Sequence, residues 1–235
     1  MPPGRRALRR CPFLAALTAC LVVLAGCGSY PKAVHTYEYL LNYDRMSEEN
    51  DPLVSLVYLP DPHAFKHCAG ITVGEITMGE GAAAACEDPD RYTMLMRALL
   101  VIRLTDCERF DTVGLDTGEP RPPHGERPLY RLEGMITRFN HGSGWRRYWS
   151  WFVFASGGAT DVQFEGCIRN VDSGELVMEF ADRRRFVGHT PWGPDPRTNG
   201  GEFAMNMTMQ QMAAGFAHFI ETAHDGLVVT TATTP

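Results

Sequence analysis

The sequence predicts a mixed α/β (α+β) domain, a largely antiparallel sheet with two helices packed on its apolar face. Three observations predict it. Apolar residues recur at helical spacing in two stretches: Tyr92, Leu95, Met96, Leu99 and Ile102 in one, and Met205, Met209, Met212, Phe216, Phe219 and Ile220 in the other. Three further stretches alternate apolar and polar side chains at the period of a strand. Between the last two of these, Asp172-Ser-Gly174 has the composition of a hairpin turn.

Taken in chain order, the first element is an export signal. Arg5, Arg6, Arg9 and Arg10 precede the apolar run Leu14-Ala-Ala-Leu-Thr-Ala-Cys-Leu-Val-Val-Leu-Ala-Gly26. That run falls short of the roughly 20 apolar residues a membrane-spanning helix needs. Leu24-Ala25-Gly26-Cys27 resembles the lipobox of bacterial lipoproteins, which implies removal of residues 1–26 and a lipid chain on Cys27. Gly28, rather than an aspartate, after that cysteine implies sorting to the periplasmic face of the outer membrane.

Residues 27–66 are expected to form a lipid-anchored, partly ordered segment. Tyr37, Tyr39, Leu40, Leu41 and Tyr43 make it too apolar for a bare linker, and Ser47-Glu-Glu-Asn-Asp-Pro52 breaks it before Leu53-Val-Ser-Leu-Val-Tyr-Leu59. The α/β sandwich domain is expected over residues 67–224. Ile71, Val73 and Ile76 read as its first strand, followed by a Gly/Ala loop through Ala85. Glu87-Asp-Pro-Asp90 then starts a helix that ends near Asp106, since acidic residues suit the positive end of the helix dipole. A short strand at residues 110–115 follows. Beyond a proline-rich loop, Tyr130, Leu132, Gly134 and Ile136 alternate with Arg131, Glu133, Met135 and Thr137, a strand buried mainly on one face. Val162, Phe164, Gly166 and Ile168 form the first strand of the hairpin, and Leu176, Met178 and Phe180 the second. The methionine-rich helix closes the domain, and residues 225–235 form a disordered tail.

Removing the signal takes four of the 22 basic side chains and none of the 28 acidic ones, which leaves 18 against 28 and a net charge of about −10. Such a balance argues against nucleic-acid binding. No nucleophile elbow, phosphate loop or dinucleotide fingerprint occurs, so neither catalytic residues nor a cofactor are expected. His63-x3-His67-Cys68 has metal-like spacing, but Pro62 before it and a strand after it leave no helix to align the imidazoles, so no metal site is expected. Three of the four tryptophans fall within seven residues of Trp145-Arg-Arg-Tyr-Trp-Ser-Trp-Phe-Val-Phe154. Trp145, Arg146, Arg147, Tyr148, Trp149, Trp151 and Phe152 are accordingly the candidate contact residues, with the composition of a membrane or protein interface anchor.

Several stretches resemble a family of bacterial envelope lipoproteins of unknown function, distantly similar to the periplasmic domain of the curli-secretion lipoprotein. They are Glu108-Arg109-Phe110, Leu132-Glu-Gly-Met-Ile136, Gly142-Ser-Gly144 with Arg147-Tyr148, Gly157-Gly-Ala159 and Val171-Asp-Ser-Gly-Glu175. Together they span residues 69–223. The resemblance implies an α/β sandwich and a role in envelope assembly or export, with no catalytic residue to carry over. Where that family has a glycine-rich run, this chain has Trp151-Phe-Val-Phe154.

Four cysteines remain beyond Cys27 in the mature chain, which allows three complete pairings in an oxidising compartment. A helix from about Asp90 to Asp106 is roughly 25 Å long, which keeps Cys86 and Cys107 apart. A crossover returns the helix exit at Cys107 towards the strand start at Cys68, so a Cys68–Cys107 disulfide is expected. The partners of Cys86 and Cys167 stay open. The resulting reading is a non-enzymatic, outer-membrane-anchored lipoprotein that acts as a scaffold or accessory subunit. Its expected partners are the membrane, through Cys27, and a second copy or another envelope protein. The alternative is a binding module for a ligand or polymer.

Overall fold

The computed structural model describes residues 31–40, 43–48, 53–118, 127–142, 159–186 and 200–225. Cys27 and the residues 145–152 proposed for contact lie outside them. Seven strands form one sheet: β1 (Ser47–Glu48), β2 (Leu56–Tyr58), β3 (Gly70–Met78), β4 (Thr112–Leu115), β5 (Leu129–Asn140), β6 (Thr160–Asn170) and β7 (Leu176–Phe186). Their order across the sheet is β1-β2-β7-β6-β5-β3-β4. Four neighbouring pairs are antiparallel, while β3 runs parallel to both β4 and β5. The fold is therefore mixed α/β with a largely antiparallel sheet.

Among the described residues three α-helices accompany the sheet rather than the two expected. The extra one, α1 (Glu80–Ala84), occupies the Gly/Ala stretch read as a loop. Helix α2 (Pro89–Asp106) starts where its signal predicts: the Asp88 side chain accepts from the Arg91 amide at 3.1 Å, and Pro89 takes the first helical position, where no donor is needed. Helix α3 (Gly200–His224) carries the methionine stripe. Helix α2 packs over β3 and against α3, and α3 packs over β6 and β7.

One core joins these elements. Ile71 and Val73 of β3, Leu132 and Ile136 of β5, Val162, Phe164 and Ile168 of β6 and Met178 and Phe180 of β7 meet Met96, Leu100 and Leu104 of α2 and Met205, Met209, Met212, Phe216 and Ile220 of α3. Its centre is an aromatic column, with Phe180 stacked on Phe216 at 4.4 Å between ring centroids and Phe164 edge-on to Phe180 at 5.6 Å. The paired Gly134 and Gly166 make room for it: a Cβ on either would lie 2.6 Å from the Phe164 or the Phe180 ring. A second device sits beside the column. Arg184 of β7 is almost fully buried, paired with Asp182 at 2.8 Å, and donates to the carbonyl of Leu53, while Ser55 donates to Asp182 at 3.1 Å. Gly215 of α3 permits the close approach, since a Cβ there would meet Leu53 O at 2.7 Å.

Two sequence expectations are corrected. Ile102, assigned to the inner face of α2, is half exposed, and Leu100 and Leu104 are buried instead. Apolar residues occur on every side of this helix, interspersed with charged ones, so the 3.6-residue period fits more than one face, and the sheet takes the one centred on Met96, Leu100 and Leu104. The second correction concerns the polar side of the central strands, which was expected to face solvent. Gln163, Glu165, Cys167 and Thr137 are all buried there.

Candidate functional site

The cover on that polar side is the amino-terminal segment. Strand alternation places Asp161, Gln163, Glu165 and Cys167 in one row on the sheet face away from the helices, beside Arg183 and Arg185 of β7. Residues 32–40 and Tyr43 lie along this row. The Gln163 amide acts as a strand partner for Val34: its Oε1 accepts from the Val34 N–H at 2.7 Å and its Nε2 donates to the Val34 carbonyl at 2.6 Å.

Glu165, with no measurable exposure, is the hub of the row. Its Oε1 accepts from Thr36 Oγ1 at 2.6 Å, from Thr137 Oγ1 at 2.7 Å and from Gln163 Nε2 at 2.9 Å, and its Oε2 accepts from the Leu40 N–H at 3.3 Å. Hydrogen bonding of this density is what a buried carboxylate without a basic partner requires. Tyr43 Oη lies 3.4 Å from Thr36 Oγ1, and the His35 ring stacks on Tyr43 at 4.4 Å. Burial pushes the Tyr43 hydroxyl pKa well above its ordinary value, so it stays a neutral hydrogen-bonding group. A small apolar cluster of Leu40, Tyr43, Leu56 and Ala181 completes the seat.

The two ends of the row differ in charge. At one end Asp161 takes two guanidinium groups, Arg183 at 2.6 Å and Arg138 at 2.9 Å, and Arg183 also donates to the Lys32 carbonyl at 3.2 Å. Burial alone would raise the Asp161 pKa, but the hydrogen bonds and charges of Arg183 and Arg138 outweigh it and hold the carboxyl below its usual range. At the other end Tyr39 Oη lies 3.3 Å from Cys167 Sγ, and burial followed by that contact drives the Tyr39 pKa far up. Glu179, opposite Cys167, has one buried oxygen without a hydrogen-bond partner, and burial raises its pKa.

The expected disulfide is not formed: Cys68, Cys86, Cys107 and Cys167 are all free thiols. The Cys68 thiol donates to the Gly70 carbonyl at 3.0 Å, whereas Cys107 turns towards α3 and donates to the carbonyls of Arg103 and Ala217. Burial raises the Cys68 pKa to about 12. His63 and His67 flank and end the one-turn helix Ala64–His67. Among the described residues there is no cluster of three or more metal-ligating side chains and no helix long and apolar enough to cross a membrane.

The row that covers this face was not singled out from sequence. Its signal was the run Val162-Gln-Phe-Glu-Gly-Cys, which puts Gln163, Glu165 and Cys167 in line on one face, but a strand read alone does not show that a segment some 130 positions earlier covers that face.

No protein-family model matches the sequence, and no curated protein matches it. Solved structures with a similar chain trace include protein XCC0632 from Xanthomonas campestris, with 10% identity over 71% of this chain and 92% of that one and a TM-score of 0.46. The PelC dodecamer protein from Paraburkholderia phytofirmans has 14% identity over 68% of this chain and 96% of that one, with a TM-score of 0.39. A putative lipoprotein from Caulobacter crescentus has 13% identity over 68% and 88% of the two chains, with a TM-score of 0.32.

Proposed function

We propose that this chain is an envelope lipoprotein, acylated at Cys27 and held at the periplasmic face of the outer membrane, where its domain serves as a non-catalytic scaffold or accessory subunit in envelope assembly or export. The observation that carries this reading is the seating of residues 32–40 on the sheet. An ordinary lipoprotein linker leaves the domain free; here the chain is held on the sheet at Lys32, five residues after the lipobox cysteine. At no more than about 3.6 Å per residue the domain starts within about 18 Å of the lipid. Such a mounting suits a part that holds a fixed place at the membrane surface. A non-catalytic role fits the row itself, because the acceptor oxygens of Glu165 are taken up by the chain's own donors.

Metabolic labelling with a palmitate analogue, together with the intact mass of the mature protein, tests the anchor. The mature amino terminus is expected to be acylated Cys27, and Cys27→Ala to lose the label and leave the detergent phase. An unmodified mature terminus in the wild type overturns the reading. For the scaffold role, native mass spectrometry of detergent-extracted envelopes is expected to show a stable assembly containing this chain. A monomer that carries a glycan or small molecule would replace it with the binding-module reading.

A further inference from the structure

The end of the row nearest the amino terminus is strongly basic in a chain that is otherwise acidic. Arg138, Arg183 and Arg185 gather there around Asp161, three guanidinium groups against one carboxylate, with the Lys32 carbonyl held on Arg183. The low pKa of Asp161 keeps that carboxylate charged near neutral pH, and the three guanidinium groups outnumber it. Lys32 and Arg185 are exposed, the Arg138 side chain is 45% exposed, and Val34 beside them is 41% exposed. Arg185 stands across from Asp161 in the β6–β7 register and makes no ion pair among the described residues.

We propose that this corner is a docking surface for anionic phospholipid headgroups, so that the domain rests on the bilayer that carries its own lipid. The inference rests on the anchoring at Cys27 and adds an orientation to it. Charge complementarity selects the occupant: a mature domain of net charge about −10 is on balance repelled by an anionic surface, and presenting this basic corner offsets that repulsion. Proximity makes the attraction effective. The corner lies at the exit of a leash about 18 Å long at most, only about two screening lengths at physiological ionic strength. Arginine guanidinium groups bind phosphate with paired N–H donors, and the exposed Val34 offers an apolar contact at the level of the headgroups.

The test uses the native acylated protein reconstituted in vesicles of phosphatidylcholine alone or with added phosphatidylglycerol, and reads modification of individual arginines by phenylglyoxal with mass spectrometry. Arg185 and Arg138 are expected to react about fivefold more slowly on the anionic vesicles, the scale of one basic residue at a charged bilayer. High ionic strength is expected to abolish the difference. Arg169, on the same sheet face but eight residues along β6 and so about 26 Å away, is expected to react equally on both. An Arg185→Glu protein is expected to lose the protection of Arg138 as well. Equal reactivity on the two vesicles, or equal slowing at Arg169, overturns the docking surface. Failure of the wild-type protein to float with either vesicle overturns the anchor instead, and the docking surface with it.

Discussion

Both faces of this sheet are buried at their centre, by different physics. The face under α2 and α3 is closed by area and shape, with an aromatic column, a methionine stripe and two glycines that leave room for rings. On the opposite face one narrow segment supplies the closure, with one amide and one carboxylate taking the place of a neighbouring strand. Apolar closure is non-directional and collective, so it tolerates small shifts and fails through cavities. Polar closure is directional and local; it fails when one partner is removed, and it fails there first.

Truncating the column probes the strong side. Phe216→Ala is expected to lower unfolding stability by about 3–5 kcal/mol, because a buried ring is lost and a cavity remains next to Phe180. Denaturant titration reads this directly, and a loss below about 1.5 kcal/mol would mean that the helix face is not the main source of stability.

Removing the hub probes the weaker side. Glu165→Ala is expected to cost about 1–3 kcal/mol, since Thr137, Gln163 and Leu40 lose an acceptor while buried. Hydrogen exchange sharpens the comparison: the Val34 and Leu40 amides are expected to lose protection, with α3 unchanged. If α3 amides accelerate equally, the two faces form one cooperative unit and the contrast between them is wrong.

The smallest effect is one of pH. A carboxyl whose pKa is depressed by folding stabilises the native state above its unfolded value of about 4 and loses that contribution as pH falls through the lower folded value. Asp161 is such a group. Asp161→Asn is therefore expected to flatten the fall in thermal stability below about pH 4 and to lower stability near neutrality. An unchanged acid limb would show that Arg138 and Arg183 give the carboxylate no net stabilisation.

Much of the fold was legible because its signals are local. Asp88 and Pro89 start α2, Gly174 takes a positive φ of 70° in the hairpin, and Met205 to Ile220 repeat on one side of α3. Ile102 shows where periodicity fails, since a helix with apolar and charged residues mixed on every side has no unique inner face in its sequence. The row at Glu165 was not legible for a different reason. Polar residues at alternate positions describe a solvated face and a hydrogen-bonded interface equally well, and Thr36, the partner that decides between them, lies 129 positions away. The free thiols follow from direction: Cys107 points to α3 and Cys68 to its own strand, a choice that helix length alone does not determine.

The seating of residues 32–40 also sets how the domain responds to force. A pull from the amino terminus reaches the Lys32 carbonyl on Arg183 first, then Val34 on Gln163, then Thr36 and Leu40 on Glu165. These attachments are loaded one after another, as in peeling tape, and never together. Tension therefore strips the strap at low force and lengthens the leash, then parts the short strand β1 from β2, while strands β3 to β7 and the helix-covered core stay unloaded until residue 53, where Leu53 is held by Arg184. The strap is a mechanical fuse between membrane and domain.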